Sequence, residues 1–156
     1  MAGQQNLLFV CTGNSCRSQI AEAWARELIH DRFEPFSAGI EPRRLDPYAV
    51  IIMQEVGIDI STQDINFGHE FLETDIHYMI TLCDVAREMC PTFPRHVNVL
   101  HHPFDNIQSL SLRLTHTEDR LILYRKLRSD IRNFVERLPE TLMRFKTRHR
   151  PNCSLH

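Results

Sequence analysis

The chain has 156 residues, of which 42% are hydrophobic and 24% charged, a composition that suits one globular domain with one core. The formal net charge of −2 shows no basic excess, which argues against nucleic acid or an anionic membrane surface as a partner. The first apolar run, residues 7–10, is too short to cross a bilayer or to form a signal-peptide core. We therefore expect a cytoplasmic protein, whose thiols are kept reduced.

The cysteines are the most informative part of the composition. In a reducing compartment they are expected to be reactive thiols or metal ligands rather than a disulfide framework. The five cysteines are Cys11, Cys16, Cys83, Cys90 and Cys153. Cys153 lies in the basic C-terminal segment without a motif around it, and we interpret it as incidental.

The N-terminal part of the chain predicts a strand, a tight loop and a helix, which is the opening unit of an α/β sheet. Residues 6–10 form an apolar run that ends at Cys11, and residues 12–15 have turn-forming side chains. From Ser18 onward, apolar residues recur with the spacing of one helix face.

A second strand is predicted for residues 33–38, and Pro35 places it at a sheet edge because proline cannot donate to the strand ladder. Asp46 followed by Pro47 predicts the start of a helix, and Gly57 predicts its end. The predicted apolar face of this helix consists of Ala49, Val50, Met53 and Val56.

The rest of the chain predicts a third strand over residues 78–82 and a fourth over residues 97–100. Thr117 opens a long amphipathic helix, whose apolar positions are Leu121, Tyr124, Leu127, Ile131, Phe134 and Leu138. Strands that alternate with helices favour a largely parallel sheet covered on both faces. We expect a single domain over residues 1–143 and a basic, flexible tail over residues 144–156.

Residues 11–18, CTGNSCRS, form a Cys-x5-Arg sequence between the first strand and the first helix. Gly13 and Asn14 can adopt positive φ, so successive backbone N–H groups can curl around one tetrahedral anion. The helix N-terminus adds unsatisfied N–H donors, and the planar fork of Arg17 can bind two oxygens of that anion. The same positive surroundings favour a thiolate at Cys11, so the motif predicts a nucleophile in an oxyanion site.

The alternative interpretation of this motif is a buried cysteine at a strand end beside an ordinary turn. An isolated Cys-x5-Arg pattern is short enough to arise by chance. Here the strand before it, the Gly-Asn pair inside it and the helix after it all agree with the oxyanion site, as a motif hypothesis requires.

With this loop the sequence resembles the low-molecular-weight protein tyrosine phosphatase family. The match continues in SAGI at residues 37–40 and in VGIDIS at residues 56–61, and it covers residues 6–138. Within the family the sequence is most similar to the thioredoxin-coupled arsenate reductases, because Gln19 stands where the phosphatases typically have proline. The resemblance implies a four-stranded parallel sheet with strand order 2-1-3-4. It also implies an oxyanion-binding set of Thr12, Gly13, Asn14, Ser15, Cys16, Arg17 and Ser18.

Cys83 and Cys90 separate a reductase from a phosphatase. Phosphoester hydrolysis needs one cysteine, whereas reduction of arsenate takes two electrons, which two thiols supply by forming a disulfide that a third thiol can carry away. If residues 83–90 were one helix, their Cα atoms would lie roughly 10 Å apart. A disulfide requires about 4.4–6.8 Å, so bonding the pair requires the helix to unwind. The resemblance implies the same order-to-disorder switch, which presents the disulfide to thioredoxin.

Two other interpretations of these cysteines remain open. Either cysteine can be a small apolar core residue. Alternatively, the cysteines could bind zinc together with His101 and His102, although the spacing contains no Cys-x2-Cys pair. Relatives often have Cys-Gly-Asp at the first cysteine of the pair, whereas Asp84 follows Cys83 directly.

Asp105 follows the predicted fourth strand, where the family places its catalytic aspartate. An acid at this point would protonate the departing oxygen and contribute about 10²–10⁴-fold to the rate. The alternative is that Asp105 caps a turn together with Asn106. The phosphatases continue Asp-Pro-Tyr, and the Asn106-Ile107 sequence departs from that pattern.

No tightly bound cofactor is expected, but the resemblance raises one candidate ion. Related reductases can bind potassium beside the phosphate loop. Asn14, Glu22 and Ser37 match that site, while Asn66 stands where a carboxylate is expected.

The sequence therefore predicts a monomeric arsenate reductase in which Cys11 attacks arsenate, Arg17 binds it and Asp105 protonates the leaving oxygen. Cys83 and Cys90 then carry the disulfide to thioredoxin. Two alternatives are a phosphatase acting on phosphotyrosine or aryl phosphates and a non-enzymatic oxyanion or redox sensor.

Overall fold

The computed structural model describes residues 3–67, 71, 74–89 and 97–146. All the strands and helices predicted above are present, with ends that differ by one to a few residues. Two short helices, α3 and α4, complete the fold. In chain order the elements are β1 (Gln5–Cys11), α1 (Arg17–Leu28), β2 (Phe33–Gly39), α2 (Pro47–Gln54), β3 (Tyr78–Thr81), α3 (Asp84–Met89), β4 (Asn98–His101), α4 (Ile107–Ser111) and α5 (Thr117–Lys146).

The four strands form one parallel sheet in the order β2-β1-β3-β4, which confirms the predicted topology. The strand that contains Pro35 lies at an edge, as its missing N–H requires. In the register of the sheet Val10 pairs with both Ala38 and Thr81. The carboxyl ends of three strands therefore meet at one edge of the sheet, where ligands bind in open α/β folds.

The core is built around β1. Leu7, Leu8, Phe9 and Val10 are all fully buried, although successive strand residues point to opposite faces. Both faces of the sheet are therefore covered, as predicted for a parallel sheet. The predicted apolar positions of α5 are buried or, for Phe134, partly buried against the core. Within the described ranges no helix is both long and apolar enough to cross a membrane.

Two predicted details of the helices are wrong. Val56 is 42% exposed because α2 ends at Gln54, so Val56 lies in the turn before Gly57 rather than on the buried helix face. Gly57 has a φ of 79°, a conformation that favours glycine at the end of a helix. At the other end of the chain, α5 continues through Lys146, so residues 144–146 are helical rather than part of the predicted tail. The remaining residues of that tail, 147–156, lie outside the described residues.

Candidate active site

The loop between β1 and α1 is held from outside by backbone hydrogen bonds. The bonds run from Ile40 N to Cys11 O (3.2 Å), Glu41 N to Thr12 O (2.8 Å), Arg43 N to Gly13 O (2.8 Å) and Asp46 N to Ser15 O (2.9 Å). In a trans peptide the C=O and the next N–H point in opposite directions. The loop carbonyls point outward to residues 40–46, so the N–H groups that follow them point to the inside of the loop. This is the arrangement that binds an oxyanion.

Asn14 and Gly39 allow the loop to curl so tightly. Asn14 has a φ of 50°, as predicted for this loop, whereas Gly13 is not among the positive-φ residues of the described part. Gly39, at the end of β2, lies directly beneath the loop. A Cβ atom on Gly39 would lie 2.7 Å from the Asn14 nitrogen and 2.8 Å from the Gly13 carbonyl carbon. Glycine is therefore required sterically at residue 39. In the sequence this residue was noted only as part of the SAGI match to the family.

Cys11, the predicted nucleophile, is 2% exposed at the end of β1. Its Sγ atom lies 3.0 Å from the Ser18 hydroxyl oxygen, in the first turn of α1. That oxygen accepts a hydrogen bond from Asn14 Nδ2 at 2.8 Å, which leaves the Ser18 proton available to the sulfur. The geometry thus provides a donor for a thiolate at Cys11.

Arg17 is the first residue of α1 and is nearly buried, at 7% exposure. Its Nη1 atom donates to the Phe104 carbonyl oxygen at 3.0 Å, which fixes the guanidinium at the edge of the loop. Asp105 is the next residue in the chain, so its backbone is held close to the Arg17 side chain.

Asp105 itself is exposed and lines a groove along α5. The turn-capping role considered for it belongs to Asn106, whose side chain accepts from Ser109 N at the start of α4. On the groove side, Asp130 raises the pKa of Lys126 through a hydrogen bond, and the Asp105 charge adds a smaller attraction. The structure therefore leaves the Asp105 carboxylate free of a capping task, beside the residue that holds Arg17.

Cys83 reaches the same loop from β3. Leu82 N donates to Val10 O at 2.8 Å, which continues the parallel pairing past the end of β3. Cys83 Sγ then lies 3.2 Å from Thr12 Oγ1, next to the nucleophile in the chain. The thiol also accepts from Ala86 N at 3.3 Å and so occupies the N-cap position of α3.

Of the residues 83–90 considered above as one helix, residues 84–89 form α3. Cys90 lies outside the described residues. Asp84, the residue that replaces the relatives' glycine, bonds to His101 Nε2 at 3.0 Å, and His101 Nδ1 bonds to Thr81 Oγ1 at 2.8 Å. His101 therefore connects the start of α3 to β4 through Nε2, while Nδ1 bonds to the neighbouring strand β3.

Cys16 is the second cysteine of the loop and is buried beside Arg17. Burial raises the pKa of its thiol well above the usual value, and the nearby Asp46 carboxylate and Cys11 raise it further. Asp46 is itself buried, accepts from Tyr48 N as the N-cap of α2 and accepts from the Tyr124 hydroxyl at 2.5 Å. Sequence reasoning recognised Asp46 only as a helix cap, because its contact with α5 is long-range.

Gln19 connects the phosphate loop to the segment before β3. The side chain is fully buried, and its amide nitrogen donates to Asn14 O at 3.0 Å and to Asp64 O at 2.9 Å. The sequence marked Gln19 as a difference from the phosphatases but gave it no task. Its position indicates that it stabilises the left-handed conformation of Asn14.

The three residues that match a potassium site lie in one hydrogen-bonded group, and donors of the chain already bond to the side-chain oxygens of Asn14 and Glu22. Asn14 Oδ1 already accepts from Asn66 N and from Gln19 Nε2, so both of its lone pairs are occupied. Glu22 accepts from Ser37 Oγ with one oxygen and from an arginine with the other. Asn66, where a carboxylate was expected, offers an amide and donates from it to the Ser37 carbonyl oxygen at 3.2 Å.

Comparison with known proteins agrees with this geometry. The model of the low molecular weight phosphotyrosine protein phosphatase family matches residues 6–146. The chain belongs to this family. The resemblance inferred from the sequence is therefore confirmed.

The relatives that the chain matches within the family include arsenate reductases. The Bacillus subtilis enzyme is 39% identical over 136 residues, which cover 86% of this chain and 95% of the relative. The Brevibacillus brevis enzyme is 44% identical over 106 residues, which cover 68% of this chain and 79% of the relative. Among solved structures, an arsenate reductase in the phosphate binding state superposes with a TM-score of 0.67 at 30% identity, covering 88% of this chain and 98% of the other.

Proposed function

We propose that the chain is an arsenate reductase that works in the cytoplasm with a relay of Cys11, Cys83 and Cys90. The observation that carries the proposal is the 3.2 Å contact between Cys83 Sγ and Thr12 Oγ1. Thr12 follows Cys11 in the loop, so the Cys83 thiol lies against the residue next to the proposed nucleophile. Ester hydrolysis has no use for that thiol, whereas a two-electron reduction requires it.

In the first step the Cys11 thiolate attacks arsenic and one As–O bond breaks. The inward N–H groups of the loop and the Arg17 guanidinium hold the remaining oxygens, whose charge they stabilise. Asp105 donates its proton to the departing oxygen, which leaves as water. The product is a covalent Cys11–arsenic(V) adduct.

In the second step the Cys83 thiolate attacks Cys11 Sγ. A sulfur–sulfur bond forms, the sulfur–arsenic bond breaks, and its electron pair stays on arsenic, which leaves as arsenite. The two electrons that reduce arsenic(V) to arsenic(III) therefore come from the two sulfurs, which end as a disulfide. Ala86 N–H donates to Cys83 Sγ and stabilises negative charge on the attacking sulfur.

In the third step the Cys90 thiolate attacks Cys83 Sγ and frees Cys11 for another cycle. Once Cys83 is bonded to Cys11, its sulfur is drawn away from the N-terminus of α3, and the helix loses its cap. This loss favours the unwinding that a Cys83–Cys90 bond requires. A dithiol reductant of the thioredoxin type then reduces that bond, and electrons balance over the cycle.

The direct test is arsenate-dependent NADPH oxidation in the presence of thioredoxin and thioredoxin reductase. Wild type is expected to turn over, and Cys83→Ser is expected to reduce the rate to background while the protein remains folded. Cys153→Ser serves as the matched control and is expected to retain turnover. A wild-type protein that fails with arsenate, or a Cys83→Ser variant that turns over normally, contradicts the proposal.

A second candidate function is hydrolysis of aryl phosphates, because Cys11, the loop amides and Arg17 satisfy its requirements without Cys83. The family model and the loop geometry favour this activity. Cys83→Ser is expected to spare hydrolysis of an aryl phosphate while abolishing arsenate reduction. Efficient hydrolysis by a wild type that does not reduce arsenate would make the phosphatase the main activity. Turnover of either substrate excludes a purely non-enzymatic sensor.

A further inference from the structure

Four polar residues are spaced four positions apart along α1 and the loop before it: Asn14, Ser18, Glu22 and Arg26. Ser18, Glu22 and Arg26 lie on one face of α1, and Asn14 precedes them in the loop. The row of residues starts beside Cys11, because Asn14 Nδ2 donates to Ser18 Oγ at 2.8 Å and Ser18 Oγ lies 3.0 Å from Cys11 Sγ. It ends at Arg26, whose Nη2 donates to Glu22 Oε2 at 3.0 Å.

Two residues outside the helix, Ser37 and Asn66, connect the Glu22–Arg26 pair to Asn14 and Ser18. Ser37 donates to Glu22 Oε1 at 2.7 Å, and its carbonyl oxygen accepts from Asn66 Nδ2 at 3.2 Å. The backbone N–H of Asn66 in turn donates to Asn14 Oδ1 at 2.8 Å. An unbroken hydrogen-bond chain therefore runs from Arg26 through Glu22, Ser37, Asn66, Asn14 and Ser18 to the Cys11 sulfur.

Glu22 is the charged member of this chain that needs a counter-charge. The residue is only 8% exposed, and a buried carboxylate is costly unless a cation or several donors accompany it. Arg26 supplies that cation from within the chain. The guanidinium donates to the Pro35 carbonyl oxygen at 3.3 Å and lies 3.6 Å from the half-buried Glu34 carboxylate.

We propose that the Arg26 guanidinium takes the place of an exchangeable alkali cation at this site and is a positioning residue for Cys11. Arg26 neutralises Glu22, Glu22 fixes Ser37, and Ser37 and Asn66 fix Asn14 and Ser18 against the nucleophile. The amide at residue 66 fits this arrangement, since a carboxylate there would add a second charge that Arg26 does not contact. The chain then has no requirement for potassium. The proposal does not depend on arsenate being the substrate.

The first test compares different cations with the wild-type protein, in a chloride buffer free of phosphate and sulfate. The thermal midpoint and the rate of Cys11 alkylation are measured in equal concentrations of potassium, sodium and tetramethylammonium chloride. We expect the midpoints to agree within about 1 °C and the rates within about 1.5-fold. A saturable increase in either quantity that is specific to potassium overturns the proposal.

The second test removes the guanidinium. Arg26→Met keeps the length of the side chain but leaves Glu22 without its cation, and we expect Cys11 alkylation at neutral pH to slow by at least about threefold. Arg26→Lys restores the charge and is expected to recover most of the rate, which a merely structural role of the guanidinium would not predict. In Arg26→Met, potassium but not tetramethylammonium is expected to restore part of the rate.

The matched control is Arg144→Met, which removes the arginine of another Glu–Arg pair with the same four-residue spacing. It is expected to alkylate at the wild-type rate. If Arg26→Met behaves like Arg144→Met, or if Arg26→Lys is as slow as Arg26→Met, the positioning role of Arg26 is wrong. None of these measurements involves arsenate, so failure of this proposal is distinguishable from failure of the proposed function.

Discussion

The phosphate loop and α3 carry the two halves of the proposed reaction, and they are held in different ways. The loop is fixed from outside by backbone bonds from residues 40–46, from beneath by Gly39 and from inside by the Asn14 side chain. The six residues of α3 follow Cys83, the second thiol of the proposed relay, which caps the helix, and Asp84 bonds to His101.

This difference separates binding from electron transfer. An oxyanion is bound tightly only if its donors are already in place, because ordering them on binding would reduce the affinity. A disulfide relay instead requires a segment that can leave its first position, and such segments are held by few local contacts. In the proposed reaction Cys83, which caps α3, attacks Cys11, so forming the first disulfide would remove the contact that starts the helix.

The largest expected effect comes from removing the third thiol. Cys90→Ser is expected to release one equivalent of arsenite and then to stop, because no residue can resolve the Cys11–Cys83 bond. Peptide mass mapping after arsenate treatment is expected to find Cys83–Cys90 in wild type and Cys11–Cys83 in the variant. Steady turnover by Cys90→Ser with thioredoxin would show that the relay does not need α3 to unwind.

The next largest effect is expected from a substitution that distorts the phosphate loop and leaves α3 unchanged. Gly39→Ala places a Cβ within 2.9 Å of three backbone atoms of the loop, so the loop must shift. A shift of about 1 Å at a reacting centre can cost about 10²-fold in rate, and we expect turnover to fall by at least that factor. Phosphate is also expected to lose its ability to protect Cys11 from alkylation.

Gly57→Ala is the matched control for this substitution. Gly57 has a φ of 79°, and a Cβ atom added to it would meet no other atom within 4 Å, so alanine there introduces backbone strain without a steric clash. It is expected to lower the free energy of unfolding by about 1 kcal/mol and to leave turnover near the wild-type value. Equal losses of turnover in the two alanine variants would mean that general stability, rather than loop geometry, limits the reaction.

A smaller loss of rate is expected from Asp105→Asn. The amide cannot donate a carboxylic acid proton to the departing oxygen, so kcat is expected to fall by at least about tenfold. Phosphate protection of Cys11 is expected to remain, since Arg17 is held by the carbonyl oxygen of Phe104 and not by Asp105. An unchanged kcat under conditions where chemistry is rate-limiting would leave Asp105 without a role in the reaction.

Features of the fold and the site that depend on residues close together in the sequence could be predicted, whereas contacts between distant residues could not. The strands, the edge position of Pro35 and the Asp46 cap were predicted because their signals lie within a few residues of one another. The sequence does not identify Gly39 and Gln19 as supports of the loop, because Gly39 meets Asn14, and Gln19 meets Asp64, only when distant parts of the chain come together. Val56 was misplaced because the helical pattern continued past the point where α2 ends.

The electrostatic environment of the loop can be tested by comparing the alkylation of its two buried cysteines, Cys11 and Cys16. Burial raises the pKa of Cys16, and the Asp46 charge adds to the effect, so its thiolate is scarce at neutral pH. We expect iodoacetamide to label Cys11 at neutral pH while Cys16 remains unlabelled, and phosphate to slow only the labelling of Cys11. Equal labelling of both residues, unaffected by phosphate, would contradict the oxyanion site.

The smallest expected effect is on stability, and it concerns neither the phosphate loop nor α3 but the contact between the end of α2 and α5. Hydrogen bonds from Arg125, and then from Arg128, lower the pKa of Glu55 to about 2 from its ordinary value of 4.5. A carboxyl group with a lowered folded-state pKa stabilises the protein above pH 4.5, and that stabilisation is lost as the pH falls toward 2. Because these side chains are partly exposed, we expect Glu55→Gln to cost about 1 kcal/mol or less at neutral pH.

Urea denaturation of wild type and Glu55→Gln at a series of pH values checks this sign. The difference in unfolding free energy is expected to be constant from pH 7 to pH 5 and to narrow as the pH falls below 4.5. Arsenate turnover at neutral pH is expected to be the same in both proteins, since Glu55 contacts α5 rather than the loop or α3. A loss of turnover in Glu55→Gln would mean that the α2–α5 contact helps to hold residues 40–46 against the loop, and the support of the loop would then extend to α5.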